Sequence, residues 1–163
     1  MNRERQRISD AQGEQKEEGL EDVHQELTVE EMLIQAVIKD GEKIIFRDVK
    51  DDNSGQIYNL TVAQYIAYDL SSDNLGFSNE LYTKILQEAV EQCGKEDFKA
   101  EEYFTQHVDI EISSLAVRLS VDRFQRAESL QIKETEQTLR DRVLHLVADF
   151  RLEYVSSLTA LQV

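Results

Sequence analysis

The side chains of this 163-residue chain best suited to metal or nucleophilic chemistry are three histidines and one cysteine. His24, His107 and His145 lie in three different segments. None sits one helical turn from another, the spacing that would bring two ligands together on one helix. The densest cluster of ligand types is His107-Val108-Asp109-Ile110-Glu111. Asp109 reads there as a helix N-cap and Glu111 as a first-turn acid favoured by the helix dipole, so helix initiation accounts for the pattern without a metal. Cys93 stands alone, which excludes an internal disulfide and a thiolate metal cluster; at the end of a predicted helix it reads as a small packed hydrophobe. The turn from Asp48 to Asn53 has the acid content of a calcium loop but lacks its glycine and distal glutamate at the proper spacing. The chain contains no phosphate-binding glycine loop, dinucleotide fingerprint or nucleophile elbow. No catalytic, cofactor-binding or metal-binding residue is expected.

Charge narrows the range of partners. The chain carries 18 basic and 33 acidic residues, a formal net charge of -15. Nucleic-acid binding draws much of its affinity from Lys and Arg neutralising phosphates, and here the cations are mostly scattered singly among acids. One group, Arg3, Arg5 and Arg7, falls in a polar start that reads as a solvated tail. Direct nucleic-acid binding and anionic membranes are therefore not expected. No apolar run approaches the roughly 20 residues needed to cross a bilayer, and Met1 to Arg7 contains no hydrophobic segment of a signal peptide. The expected compartment is the cytoplasm.

The elements that position these residues are predominantly helical. Proline is absent and glycine appears six times, so little interrupts long helices. Residues 1–27 are polar and read as a flexible linker or tail. Thr28-Val29-Glu30-Glu31 has the form of a capping box. Leu33, Ile34, Val37 and Ile38 follow at helical spacing, and Asp40-Gly41 supplies the stop. Lys43 to Val49 and Gln56 to Leu60 read as two strands of a small β-hairpin near residues 43–60, joined by Asp51-Asp52-Asn53-Ser54-Gly55, although their apolar positions do not alternate cleanly. Helical period returns with Val62, Tyr65, Ile66 and Leu70. A longer helix capped by Ser78 carries Leu81, Tyr82, Ile85, Leu86, Ala89 and Cys93. Ala100 to Thr105 form a short turn, and Asp109 caps a helix with Ile112, Leu115, Ala116 and Leu119 as its buried stripe.

The final segment is different. No breaker occurs from about Glu134 onward, which predicts a helix roughly 40 Å long at about 1.5 Å per residue. Leu139, Val143, Leu146, Phe150, Tyr154, Leu158 and Leu161 form one apolar stripe, while Leu144, Ala148, Leu152 and Val155 form a second face. A helix with two apolar faces is either enclosed in a bundle or turned to a partner on one side. The predicted fold class is mainly α: a bundle subdomain over 28–133, a long C-terminal connector helix over 134–163 and one small β-hairpin.

A further pattern runs from Phe98 to Phe124. It comprises Phe98-Lys99-Ala100-Glu101-Glu102-Tyr103-Phe104, then Asp109-Ile110-Glu111-Ile112-Ser113-Ser114-Leu115-Ala116, Leu119 and Arg123-Phe124, with Glu134-Thr135-Glu136 leading into the long helix. Together with Val62-Ala63-Gln64-Tyr65-Ile66, these residues resemble the C-terminal, helicase-interacting region of bacterial DNA primase, and the resemblance covers about Val29 to Tyr154. It implies a helical bundle, a long helix leading to a terminal helical hairpin, and docking of primase onto the replicative helicase for primer synthesis at the fork. The chain departs from that pattern in three ways. It stops at Val163 within the connecting helix, it lacks the zinc-ribbon cysteines and polymerase acids of the upstream domains, and its hairpin reads as an insertion in a domain that is otherwise all-helical. The chain is accordingly expected to be a non-catalytic fragment, with Leu144, Leu152, Val155, Leu158 and Leu161 facing the terminal hairpin or a partner. The rival from another class is a stand-alone acidic helical adaptor. A small carboxylate or metal hydrolase is a third reading, without a residue constellation to support it.

Overall fold

The computed structural model describes residues 27–121 and 134–162, with side chains of the last helix described through Ser157. The tail expected over 1–27, with Arg3, Arg5, Arg7 and His24, lies outside the described residues apart from Leu27, which packs partly buried against the core. Arg123 and Phe124 also lie outside them. Helix α1 spans Val29–Asp40 and opens on the expected capping box. The Glu31 N–H donates to Thr28 Oγ1 at 3.1 Å, and the Thr28 N–H donates to Glu31 Oε1 at 2.9 Å. Leu33, Ile34, Ala36, Val37 and Ile38 are all buried, and this wide apolar arc makes α1 the central rod, in contact with each of the other five described helices. It ends at Gly41, where a Cβ would lie 2.3 Å from the Val37 carbonyl oxygen, so the chain turns in a space that admits no side chain.

The hairpin follows as β1, Ile44–Lys50, and β2, Ile57–Thr61, antiparallel. The partners are Ile44 with Thr61, Phe46 with Leu60, Val49 with Tyr58 and Lys50 with Ile57, so the register slips twice along β1. These bulges are the reason the apolar residues of this stretch do not alternate. Asp48 adopts φ 55° at the second slip, and its N–H donates to Asn59 Oδ1 at 3.1 Å. In the connecting turn the Asp51 carboxylate accepts the Asn53 N–H and the Ser54 hydroxyl, and Gly55 takes φ 74°.

Helix α2, Val62–Ser72, begins with a second capping box between Thr61 and Gln64. Helix α3, Glu80–Gln92, is capped by Asn79 and not by Ser78. Asn79 Oδ1 accepts the Leu81 N–H at 2.8 Å, while the Ser78 N–H and hydroxyl are both spent on the Glu30 carboxylate, a contact between residues distant in sequence. The short α4, Ala100–Thr105, and α5, Ile110–Ser120, follow, with Asp109 capping α5. The last helix, α6, spans Glu136–Gln162, and its first turn is held by reciprocal bonds between Thr135 and Thr138. The expected fold class is what the chain adopts: mainly helical, with one two-stranded hairpin and a long C-terminal helix.

Candidate functional site

Helix α6 lies along the bundle through its first half only. Leu139, Val143, Leu146, Val147 and Phe150 are buried against the core, with Phe150 against Phe77 at 5.7 Å between ring centroids. Tyr154 is partly buried, and Leu152 at 68% and Val155 at 57% exposure face outward beyond it. Leu144, at 36%, and the exposed Ala148 continue that outward line toward the N-terminus. The two apolar faces thus separate, one buried against the bundle and the other exposed. Leu158 and Leu161 fall within α6 at positions that continue the inner stripe, but their side chains lie outside the described set.

Ionic contacts hold the docked half in place. Arg142 donates to Asp40 at 3.2 Å and to Glu134 at 2.9 Å, and Lys43 lies 2.7 Å from the same Asp40, which is only 8% exposed. Arg140 donates to the Ile45 carbonyl at 3.0 Å and covers the Phe46 ring. Arg151 grips Asp69 and Asp73 at the C-terminal end of α2 and donates to the Asp69 carbonyl, where a cation also meets the negative end of the helix dipole.

The second cluster centres on His107. The Tyr103 hydroxyl donates to Glu88 Oε1 at 2.8 Å, and His107 Nε2 lies 2.8 Å from the same oxygen. The Asp109 N–H donates to His107 Nδ1 at 2.9 Å, so the ring proton of the neutral imidazole sits on Nε2 and is directed at Glu88. Both ring nitrogens are occupied, and the imidazole has no lone pair left to accept a proton from a substrate. Burial, followed by the hydrogen bond to Glu88, pushes the Tyr103 phenol up to about 12. The cluster borders an open cavity of about 540 Å³ that also touches Lys95, Phe98 and Lys99. Its polar atoms satisfy one another and tie α3, α4 and the start of α5 together.

The remaining sequence candidates are placed as follows. Asp109 caps α5 through the Glu111 N–H and bonds Lys84, and Lys84 is the main cause holding its carboxyl below the usual range. Cys93 is half-buried, 3.3 Å from the Thr61 hydroxyl, and burial pushes its thiol up. His145 lies one turn from Asp149 on the exposed side of α6. Among the described residues no three His, Cys, Asp or Glu side chains converge as metal ligands, and no helix is long and apolar enough to cross a membrane.

Compared with known families, residues 12–160 match the one described as "Domain of unknown function (DUF8430)". The chain belongs to that family. No curated protein and no solved structure matches it. The family match takes in the bundle, the hairpin and nearly all of α6.

Sequence reasoning missed Glu88 and Tyr103 as partners of His107, and Asp40, Asp69 and Asp73 as partners of the α6 arginines. Tyr103 and His107 are four residues apart, a spacing that could have suggested a pair. Glu88 lies on another helix, and nothing in its local sequence distinguishes it from the other acids.

Proposed function

We propose that this domain is a non-catalytic docking module, the helicase-binding part of a bacterial DNA primase that places primer synthesis at the replication fork in the cytoplasm. The observation that carries this reading is the outward line of Leu144, Ala148, Leu152 and Val155 on a helix already anchored to the bundle through its other face. A contiguous exposed apolar line on a rigid element suits a protein interface. The residues of the resemblance also occupy coherent places, which supports the reading. Phe98 and Phe104 are core residues around α4, Ile112, Leu115 and Ala116 form the buried stripe of α5, and Glu134-Thr135-Glu136 is the N-terminal lead-in of α6. The hairpin leans on α6 through the Arg140 bond to the Ile45 carbonyl and contributes Ile45 to the core.

Isothermal titration of the chain with the replicative helicase of the same organism tests this. The expected result is saturable binding that Leu152→Asp removes while the circular dichroism spectrum stays unchanged. No binding by this chain, and none by a polypeptide carrying further sequence beyond Val163, would sink the helicase reading.

A further inference from the structure

Helix α5 starts on a residue that is held through side chain and backbone alike. Asp109, its N-cap, turns its carboxylate to the Glu111 N–H at 2.9 Å and to Lys84 Nζ at 3.2 Å, and its carbonyl accepts the Ser113 N–H at 2.9 Å. Its own N–H points back to His107 Nδ1, also at 2.9 Å. A backbone N–H can only donate, so this bond exists only while Nδ1 carries a lone pair. The other ring nitrogen, Nε2, meets Glu88 Oε1, which also takes the Tyr103 hydroxyl. The rings of Tyr103 and Phe104 flank the imidazole, edge-on at 5.5 Å and stacked at 6.4 Å between centroids.

A proton added to this ring can enter only at Nδ1, and there it meets the Asp109 N–H. Two donors would then face each other across 2.9 Å, and one side has to give way. The contacts on the two nitrogens decide which. Protonation turns the Nε2–H bond to Glu88 into a charge-assisted one between largely enclosed side chains, at 12% and 19% exposure, and such bonds are roughly twice as strong as neutral ones. The Asp109 side lies at the surface, between the exposed Val108 and Ile110. The corner 107–109 therefore yields while the ring stays on Glu88. The charged and titratable groups around it are Lys84, Glu88 and Glu91 on α3, Glu102 and Tyr103 on α4, Asp109 and Glu111 on α5, and Lys95, Asp97 and Lys99 across the open cavity. Of these, only Glu88 bonds the ring through a side chain. We propose that His107 is a proton-operated latch on the start of α5, closed while the imidazole is neutral and opened when Nδ1 takes up a proton. Protection of the Asp109 amide is then present above the titration of the ring and lost as pH falls through it.

The test is NMR of the isotope-labelled full chain across about pH 5 to 8, the range in which imidazoles ordinarily change charge. The His107 ring and the Asp109, Glu111 and Ser113 amides are followed together. The expected result is one midpoint shared by the ring and all three amides. Protection of the Asp109 amide from exchange, corrected for the intrinsic rate, should fall by about tenfold on the acid side, as the loss of one hydrogen bond requires. His107→Asn still offers the Asp109 N–H an oxygen, in an Asx-turn, and does not titrate, so its amides should keep their protection throughout. Glu88→Gln keeps the acceptor for Tyr103 but removes the charge facing Nε2, and should move the shared midpoint to lower pH. A ring that takes up its proton while Asp109 stays protected overturns the proposal, and so does a ring still neutral at the acid end of the range. The same acid response in the asparagine variant also overturns it, because carboxylates would then be responsible. Circular dichroism checks that this variant folds. Where it does not, the wild-type chain and Glu88→Gln decide the matter, and a midpoint that Glu88→Gln leaves in place refutes the latch.

Discussion

Gly41 illustrates how one residue can be required by space where its dihedrals impose nothing. Its φ of -55° suits any residue, yet a Cβ would meet the Val37 carbonyl at 2.3 Å, with backbone on both sides of the contact. Gly41→Ala should cost about 1–3 kcal/mol, read as a lower midpoint in urea denaturation. Asp109 offers a check by pH. Its carboxyl is held low first by the Lys84 hydrogen bond and then by the Glu111 N–H, so its contribution to stability is present above the ordinary carboxylate range and is lost as pH falls through the lowered value. Lys84→Met should move the Asp109 titration, followed by carboxyl NMR, back toward the ordinary range. Cys93 is displaced in the other direction, mainly by burial, which reduces its thiolate at neutral pH. Iodoacetamide should therefore alkylate it more slowly in the folded chain than in urea, as followed by mass spectrometry. The helix-capping roles of Thr28 and Asp109 were legible from local spacing, because both ends of each cap lie within three residues. The partners of Ser78 and His107 were not, since Glu30 and Glu88 reach them across the fold.

Among the elements, α6 carries the sharpest contrast. Phe150 and Leu152 are two residues apart on one helix, one packed against Phe77 and Tyr154 and the other open. Phe150→Ala should cost about 3–5 kcal/mol, through lost burial and the cavity left behind. Leu152→Ala should stay within about 0.5 kcal/mol, as substitutions on an exposed surface do. Thermal or urea unfolding of the two variants side by side measures the difference. Comparable losses would mean that the outer face is covered in solution. The periodicity of α6 exposed both apolar stripes, but periodicity carries no information about which one meets the bundle. The hairpin was legible from its turn and branched residues, whereas its two register slips depend on cross-strand pairing and on the Asn59 side chain.

At the scale of the whole molecule, net charge opposes the ion pairs. Most inter-element pairs, such as Arg47 with Glu136 and Lys84 with Asp109, join half-exposed side chains, where solvent screening leaves each pair a small contribution. Self-repulsion at a charge of -15 acts on the entire compact state, and salt screens it as well. Repulsion should dominate, so Tm is expected to rise between low and physiological salt in differential scanning calorimetry; a fall would show that the α6 clamps outweigh it. The sequence by itself determined the helical class, the order of elements, the hairpin and the inner and outer stripes of the last helix, because these follow from periods of two to four residues and from local capping and turn chemistry. Only the tertiary structure decided that the Leu139 stripe packs on the bundle while the Leu144 line stays outside, that the arginines of α6 are drawn inward by Asp40 and Asp69, and that His107 is closed off by Glu88. Each of these depends on which distant surface a side chain meets, and that is set by packing between elements.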